Sequence, residues 1–148
     1  MRRDEMEQKA DRGSVPAQVT LGIAYLYGYQ FDDAQVEPDY AKARTFLEAA
    51  SAQGAPRALS NLGYMHENGL GCSKDLPRAI ELYERSVRGG EYFPCLWLAR
   101  IYAHGKIGDV DPQRAAHWYA KVQSFRGKVD DDEGLAEADA FLGGVGDA

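Results

Sequence analysis

Residues 58–90 read ALSNLGYMHENGLGCSKDLPRAIELYERSVRGG, and this stretch decides the fold. Leu62 is its apolar anchor. Gly63 follows directly, His66 stands four residues on and Gly69 seven. Anchor, anchor plus one and anchor plus four fall on one face of a helix at 3.6 residues per turn. Gly63 lets a neighbouring helix approach closely. Gly69 ends the helix, because glycine enters the left-handed conformation without penalty. Asp75 then caps a second helix, with Pro77 in its tolerant first turn. Arg78-Ala79 and Leu82-Tyr83 lie on that helix, and Gly89-Gly90 ends it. The stretch is a helix–turn–helix.

The same columns recur on both sides. Lys42-Ala43, Arg78-Ala79 and Arg114-Ala115 are spaced at intervals of 36 residues. Leu21-Gly22 and Leu98-Ala99 match Leu62-Gly63, and Tyr25 and Tyr102 match His66. Gly28 and Gly105 match Gly69, and Asp39 and Asp111 match Asp75. Phe46-Leu47 and Trp118-Tyr119 match Leu82-Tyr83. A period of this length is the signature of a solenoid. Helix A is predicted over 16–27, 56–68 and 92–104, and helix B over 39–52, 75–88 and 111–124. The first repeat is longer by five residues, which fall within Tyr29–Pro38. They are expected to form a surface loop, because packed helices cannot absorb an insertion.

This pattern resembles the Sel-1-like repeat family, a relative of the tetratricopeptide solenoids. The second repeat carries Ala58, Leu62-Gly63, Gly69-Leu-Gly71, Asp75, Arg78-Ala79, Tyr83 and Gly90 of the family motif. The first carries Leu21-Gly22, Tyr25, Gly28, Asp39, Lys42-Ala43, Ala49-Ala50 and Gly54. The third departs from it: Pro94 replaces the leading alanine, Ala99 replaces glycine, and the second loop glycine is missing. The resemblance covers roughly 17–122. It implies an all-α, right-handed α/α superhelix of about three helix–turn–helix repeats that serves as an adaptor. The domain reading is an N-terminal capping helix over 1–13, repeats over 14–54, 55–90 and 91–125, and a C-terminal capping helix with a flexible tail over 126–148. The charged N-terminal stretch reads as a leftover helix B, since terminal repeats must present a polar outer face. At the other end the acidic run 130–133 suits a helix N-terminus. Leu135, Ala138, Phe141 and Leu142 suit docking on the last repeat, and the glycine-rich end from Gly143 reads as frayed.

Composition narrows the function. The 148 residues are 45% apolar and 27% charged, with a net charge of −6 and no basic block. This argues against nucleic acid as a partner, since phosphate neutralisation needs clustered Lys or Arg. No apolar run approaches the ~18–20 residues that span a bilayer, and the N-terminus has no apolar signal core. The expectation is a cytoplasmic protein with no membrane partner. Cys72 and Cys95 occupy non-equivalent columns and read as free thiols.

No motif for chemistry emerges. His66, His104 and His117 lack metal-ligand spacing, and His66 reads as a buried, hydrogen-bonded substitute for tyrosine. There is no H-E-x-x-H, G-x-S-x-G, P-loop or C-x-x-C. The run 130–134 lacks the glycine and the bidentate Glu of a calcium loop. Tyr25, Tyr83, Tyr102, Trp118 and Tyr119 occupy repeat columns and are read as core. No catalytic residue, metal site or cofactor is assigned.

Binding is sought in the columns that the repeat leaves free. The family resemblance implies that the A helices line a concave surface. Opposite the core face of helix A lie anchor minus one, plus two and plus six. In this chain those are Thr20, Ile23 and Tyr27; Asn61, Tyr64 and Asn68; and Trp97, Arg100 and His104. Tyr, Trp and Arg are enriched at binding hot spots, and the asparagines could clamp a peptide backbone. The expected role is a non-enzymatic module, of bacterial type, that binds another protein or peptide in this groove. One variant is a regulatory or immunity-like inhibitor that plugs an effector. The insertion, with Tyr29 and Phe31, is a second candidate contact, or a packed surface loop. The alternative reading is a secreted-type repeat protein that binds or hydrolyses β-lactams or cell-wall ligands. The family resemblance implies that secreted members of this kind carry paired cysteines at regular spacing in each repeat, and the two cysteines in non-equivalent columns here count against that reading.

Overall fold

The computed structural model describes residues 1–146, and Asp147 and Ala148, the end of the expected tail, lie outside them. Among the described residues the chain is built from helices and one short hairpin. The order is α1 (Arg3–Asp11), α2 (Val15–Tyr27), β1 (Tyr29–Gln30), β2 (Gln35–Val36), α3 (Tyr40–Ala52), α4 (Pro56–Asn68), α5 (Leu76–Arg88), α6 (Phe93–Ala103), α7 (Pro112–Gln123) and α8 (Asp132–Gly146). The helices group into two units, the first from Met1 to Gly89 and the second from Gly90 onward. Within them α2 packs on α3, α4 on α5 and α6 on α7, and α8 packs on α7.

The aspartate column does the same work three times. Asp39, Asp75 and Asp111 each accept the backbone N–H of the residue three further on, Lys42 at 3.1 Å, Arg78 at 3.0 Å and Arg114 at 3.0 Å. Each satisfies a helix-B N–H that has no partner inside its helix. The backbone N–H of the same aspartate donates back to helix A, to the carbonyl at anchor plus four. The distances are 2.7 Å to Tyr25, 2.9 Å to His66 and 2.9 Å to Tyr102. One residue therefore fixes both helices of a repeat. Gly69 and Gly105 make the intervening turn, with φ of 67° and 65°.

The small residue after the anchor proves to be a steric requirement. A Cβ on Gly63 would stand 2.6 Å from Cε1 of Tyr83, and one on Gly22 would stand 2.6 Å from Leu47. Leu47 and Tyr83 are fully buried, as are Leu21, Leu98 and Ala115. Each such leucine removed from water contributes about 1.5–3 kcal/mol. The cation of the 36-residue beat lies over the ring at anchor plus four, Lys42 at 5.1 Å from Tyr25 and Arg114 at 5.4 Å from Tyr102. In the middle repeat His66 replaces that ring, and Arg78 pairs with Glu81 at 2.9 Å.

Several expectations need correction. The insertion is not a plain loop. It forms the antiparallel hairpin of β1 and β2, with Tyr29 opposite Val36 and Gln30 opposite Gln35. Phe31 and Val36 are buried within it. Its tip reaches α1: the Asp33 carboxylate accepts the N–H groups of Arg3 at 2.6 Å and Asp4 at 3.3 Å, and the Met1 ammonium pairs with Asp32. His66 is half-buried rather than buried, and its Nδ1 faces Cys72 Sγ at 3.7 Å. Burial, ahead of the opposing charge of Asp75, lowers its pKa below the usual value. Trp118 is only half-buried, because the column's core work falls on Tyr119. Gly143 to Gly146, expected to fray, continue α8. Both cysteines are free.

Candidate protein-binding faces

The candidate groove residues divide between the two units. Thr20, Ile23, Tyr27, Asn61, Tyr64 and Asn68 lie in the first, and Trp97, Arg100 and His104 in the second.

In the first unit α2 and α4 bring three of these side chains together. Tyr27 and Tyr64 meet with ring centroids 6.0 Å apart and planes tilted by 43°. The Tyr27 hydroxyl donates to Asn61 Oδ1 at 3.3 Å. Asn61 and Asn68 turn their amides onto their own helix, donating to the carbonyls of Arg57 at 2.7 Å and Tyr64 at 2.9 Å. Part of the capacity expected for clamping a peptide is thereby used within α4. Thr20 donates to the carbonyl of Pro16 at 2.9 Å. A cleft of about 350 Å³ opens beside them, lined by Thr20, Ile23, Tyr27, Tyr29 and Arg57 among others. Tyr27 is 53% exposed and Tyr29 50%, so the hairpin insertion supplies one aromatic wall.

Behind this face Tyr83 donates to Glu67 Oε2 at 2.6 Å. Burial first, and that hydrogen bond second, raise the phenol far above its usual range. A neutral tyrosine locked to a carboxylate positions α5 against α4.

In the second unit Trp97 stacks on Phe93, with centroids 6.2 Å apart and planes 24° apart. His104 is exposed at the end of α6. Arg100 is not left for a partner. Its Nε and Nη2 donate to both oxygens of Glu137 on α8, at 3.0, 3.1 and 2.6 Å. The Tyr119 hydroxyl completes the group, donating to Glu137 Oε1 at 2.6 Å. The guanidinium, opposed by partial burial and aided by Tyr119, holds the Glu137 carboxyl below its usual range.

The missed residues are Arg57 and Phe93. Each lies four positions before a residue of the stripe, Asn61 and Trp97, so the stripe simply continues one helical turn toward the N-terminus. That periodicity was the available signal. Among the described residues no group of three or more His, Cys, Asp and Glu side chains is placed to hold a metal ion, and no helix is long and apolar enough to cross a membrane.

A family model described as Sel1 repeat matches residues 15–54, 56–91 and 95–121. The chain belongs to the Sel1 repeat family. It is 30% identical over 138 residues to the ERAD-associated E3 ubiquitin-protein ligase component HRD3A of Arabidopsis thaliana, a match covering 86% of this chain and 19% of that protein. It is similar in structure to a Sel1 repeat protein from Oxalobacter formigenes, with a TM-score of 0.69 and 23% identity over 82% of this chain and 48% of the other. A protective antigen of uropathogenic Escherichia coli has a TM-score of 0.70 and 24% identity, covering 82% and 25% respectively. These likenesses show the all-α Sel1 repeat fold. The chain spans less than a fifth of the length of the curated relatives it matches.

Proposed function

We propose that this chain is a non-enzymatic interaction module that binds another protein or peptide through the exposed faces of its A helices. The observation that carries the reading is the Tyr27–Asn61–Tyr64 cluster beside the 350 Å³ cleft. These side chains lie outside the anchor columns that build the repeat. Tyr27 and Tyr29 leave half their surface in water, an arrangement that costs hydration free energy unless a partner covers it. Membership of the Sel1 repeat family supports the same reading, and HRD3A is by its name a component of a larger ligase. Recognition fits the side chain of an extended peptide or one face of a partner helix entering the cleft, with the aromatic walls as anchors.

The test is affinity capture from the native organism on immobilised wild-type chain and on two variants. One is Tyr27→Ala with Asn61→Ala; the other is Asn61→Ala with Trp97→Ala. A partner retained by the wild type and lost from the variants, at unchanged circular dichroism, supports the face. A partner retained equally by all three rules it out.

A further inference from the structure

Phe93 opens α6 with 51% of its surface in solvent, while Pro94, Cys95 and Leu96 directly after it are buried. Its ring stacks on Trp97 one turn further along and meets the edge of Tyr92 at 5.1 Å. Phe93 lines two clefts, of about 470 and 460 Å³. Carboxylates line both: Asp131 and Glu133 in one, Glu91 and Asp130 in the other. Asp131 is held rigidly, accepting the Tyr92 hydroxyl at 2.8 Å on Oδ2 and the Gly134 N–H at 3.1 Å on Oδ1. Arg100 lines the first cleft with its charge paired to Glu137, and Lys128 lines the second beside Glu91, Asp130 and Asp131, so carboxylates are in excess in both.

We propose that Phe93, backed by Trp97 and flanked by Glu133 and Glu91, is a docking site for an arginine side chain of a basic partner peptide. The proposal rests on the reading of the chain as an interaction module, but not on the α2–α4 face. Its basis is charge complementarity. An aromatic face attracts a cation through its quadrupole. A guanidinium is planar, so it stacks on the ring while its N–H edge reaches a carboxylate, and it sheds water more readily than an ammonium. The net charge of −6 attracts a basic partner over longer range. An acidic peptide is repelled by the same carboxylates, and a purely apolar one leaves them without a counter-charge.

The probe is a fluorescent, capped heptapeptide carrying two arginines, titrated into the whole chain beside otherwise identical lysine and citrulline peptides. The expected order of affinity is arginine, then lysine, then citrulline, with the arginine peptide weakened by added salt. Phe93→Ala is expected to weaken it about fivefold. The double variant Glu91→Gln with Glu133→Gln should weaken it about as much, and Gln113→Ala, at an exposed position of α7, should leave it unchanged. Phe93 and Glu133 are exposed, and Glu91 is half-buried and outside the core, so circular dichroism should be unaltered in each variant. The proposal is overturned if the arginine peptide does not bind, if the citrulline peptide binds as well, or if Phe93→Ala binds the arginine peptide as tightly as the wild type. Failure of the module reading looks different, as no native partner would then depend on either face in the capture experiment.

Discussion

The guanidinium of Arg100 and the carboxylate of Glu137 face each other fork to fork, 37 residues apart in the chain, with the Tyr119 hydroxyl on the same carboxylate. Through this contact α8 is bound to α6 and α7 together. Gln123 and Arg126 extend the attachment by donating to Asp139 at 2.7 Å each. An arginine that the repeat pattern leaves free is thus used to hold a terminal helix.

Replacing Glu137 with Gln should destabilise the chain by roughly 1 kcal/mol, allowing for screening of a pair whose side chains remain 38% and 31% exposed. The carboxyl's folded-state pKa is depressed, so its contribution is complete above its ordinary value near 4.5 and is lost as the pH falls through the folded value. Urea unfolding over a series of pH values from 7 downward checks this: wild type and variant should differ fully at pH 7, and the difference should shrink progressively once the pH falls below the ordinary carboxyl value.

Gly63→Ala should destabilise the fold despite the better helix propensity of alanine. The gain is about 1 kcal/mol, but the new methyl meets the buried Tyr83 ring at 2.6 Å, and overpacking of this kind costs about 1–3 kcal/mol. Gly143→Ala is the control. It lies in α8 with nothing within 4 Å of its added Cβ, so it should be neutral or stabilising. Chemical denaturation of both variants distinguishes a steric glycine from an incidental one.

Asp33→Ala should loosen α1 without unfolding the repeats. It removes the acceptor for the first N–H groups of the helix, a loss of about 1 kcal/mol. Amide hydrogen exchange should speed up about fivefold along α1 and stay unchanged in α4 and α5. Uniform exchange across the unit would disprove the capping role of the insertion.

The two thiols should react at very different rates. Cys95 is fully buried, burial pushes its pKa up to about 11, and its S–H donates to the Glu91 carbonyl at 3.7 Å. Cys72 is half-buried in the turn after α4. With Ellman's reagent at pH 8, one equivalent should react quickly and the second about a hundredfold more slowly until the chain is unfolded. Cys72→Ser should abolish the fast phase, and Cys95→Ser should preserve it.

Much of the architecture was legible because the repeat is written in local contacts. An aspartate three residues before a cation and a glycine seven residues after the anchor act within one or two helical turns, and the small residue beside the anchor acts on the next helix of its own repeat. The insertion was less legible. Its alternation of Phe31 and Val36 with polar residues is too short to announce a hairpin, and its contact with α1 spans about 30 residues. The face residues were found as a stripe but not as a chemistry. Helical periodicity gives the side on which Asn61 or Arg100 lies, and says nothing of what stands opposite.

By itself the sequence determined the helix pairs, their caps and the close approach at Gly22 and Gly63, because those follow from backbone geometry repeated in each helix–turn–helix unit. Only the tertiary structure decided that Arg100 is spent on Glu137, that the asparagine amides fold onto α4, and that Phe93 and Tyr27 remain in water. The physical reason is distance along the chain. A cap finds its partner within one helical turn and a packing residue finds its own on the next helix of the same repeat, whereas the availability of a side chain for binding depends on elements that only folding brings beside it.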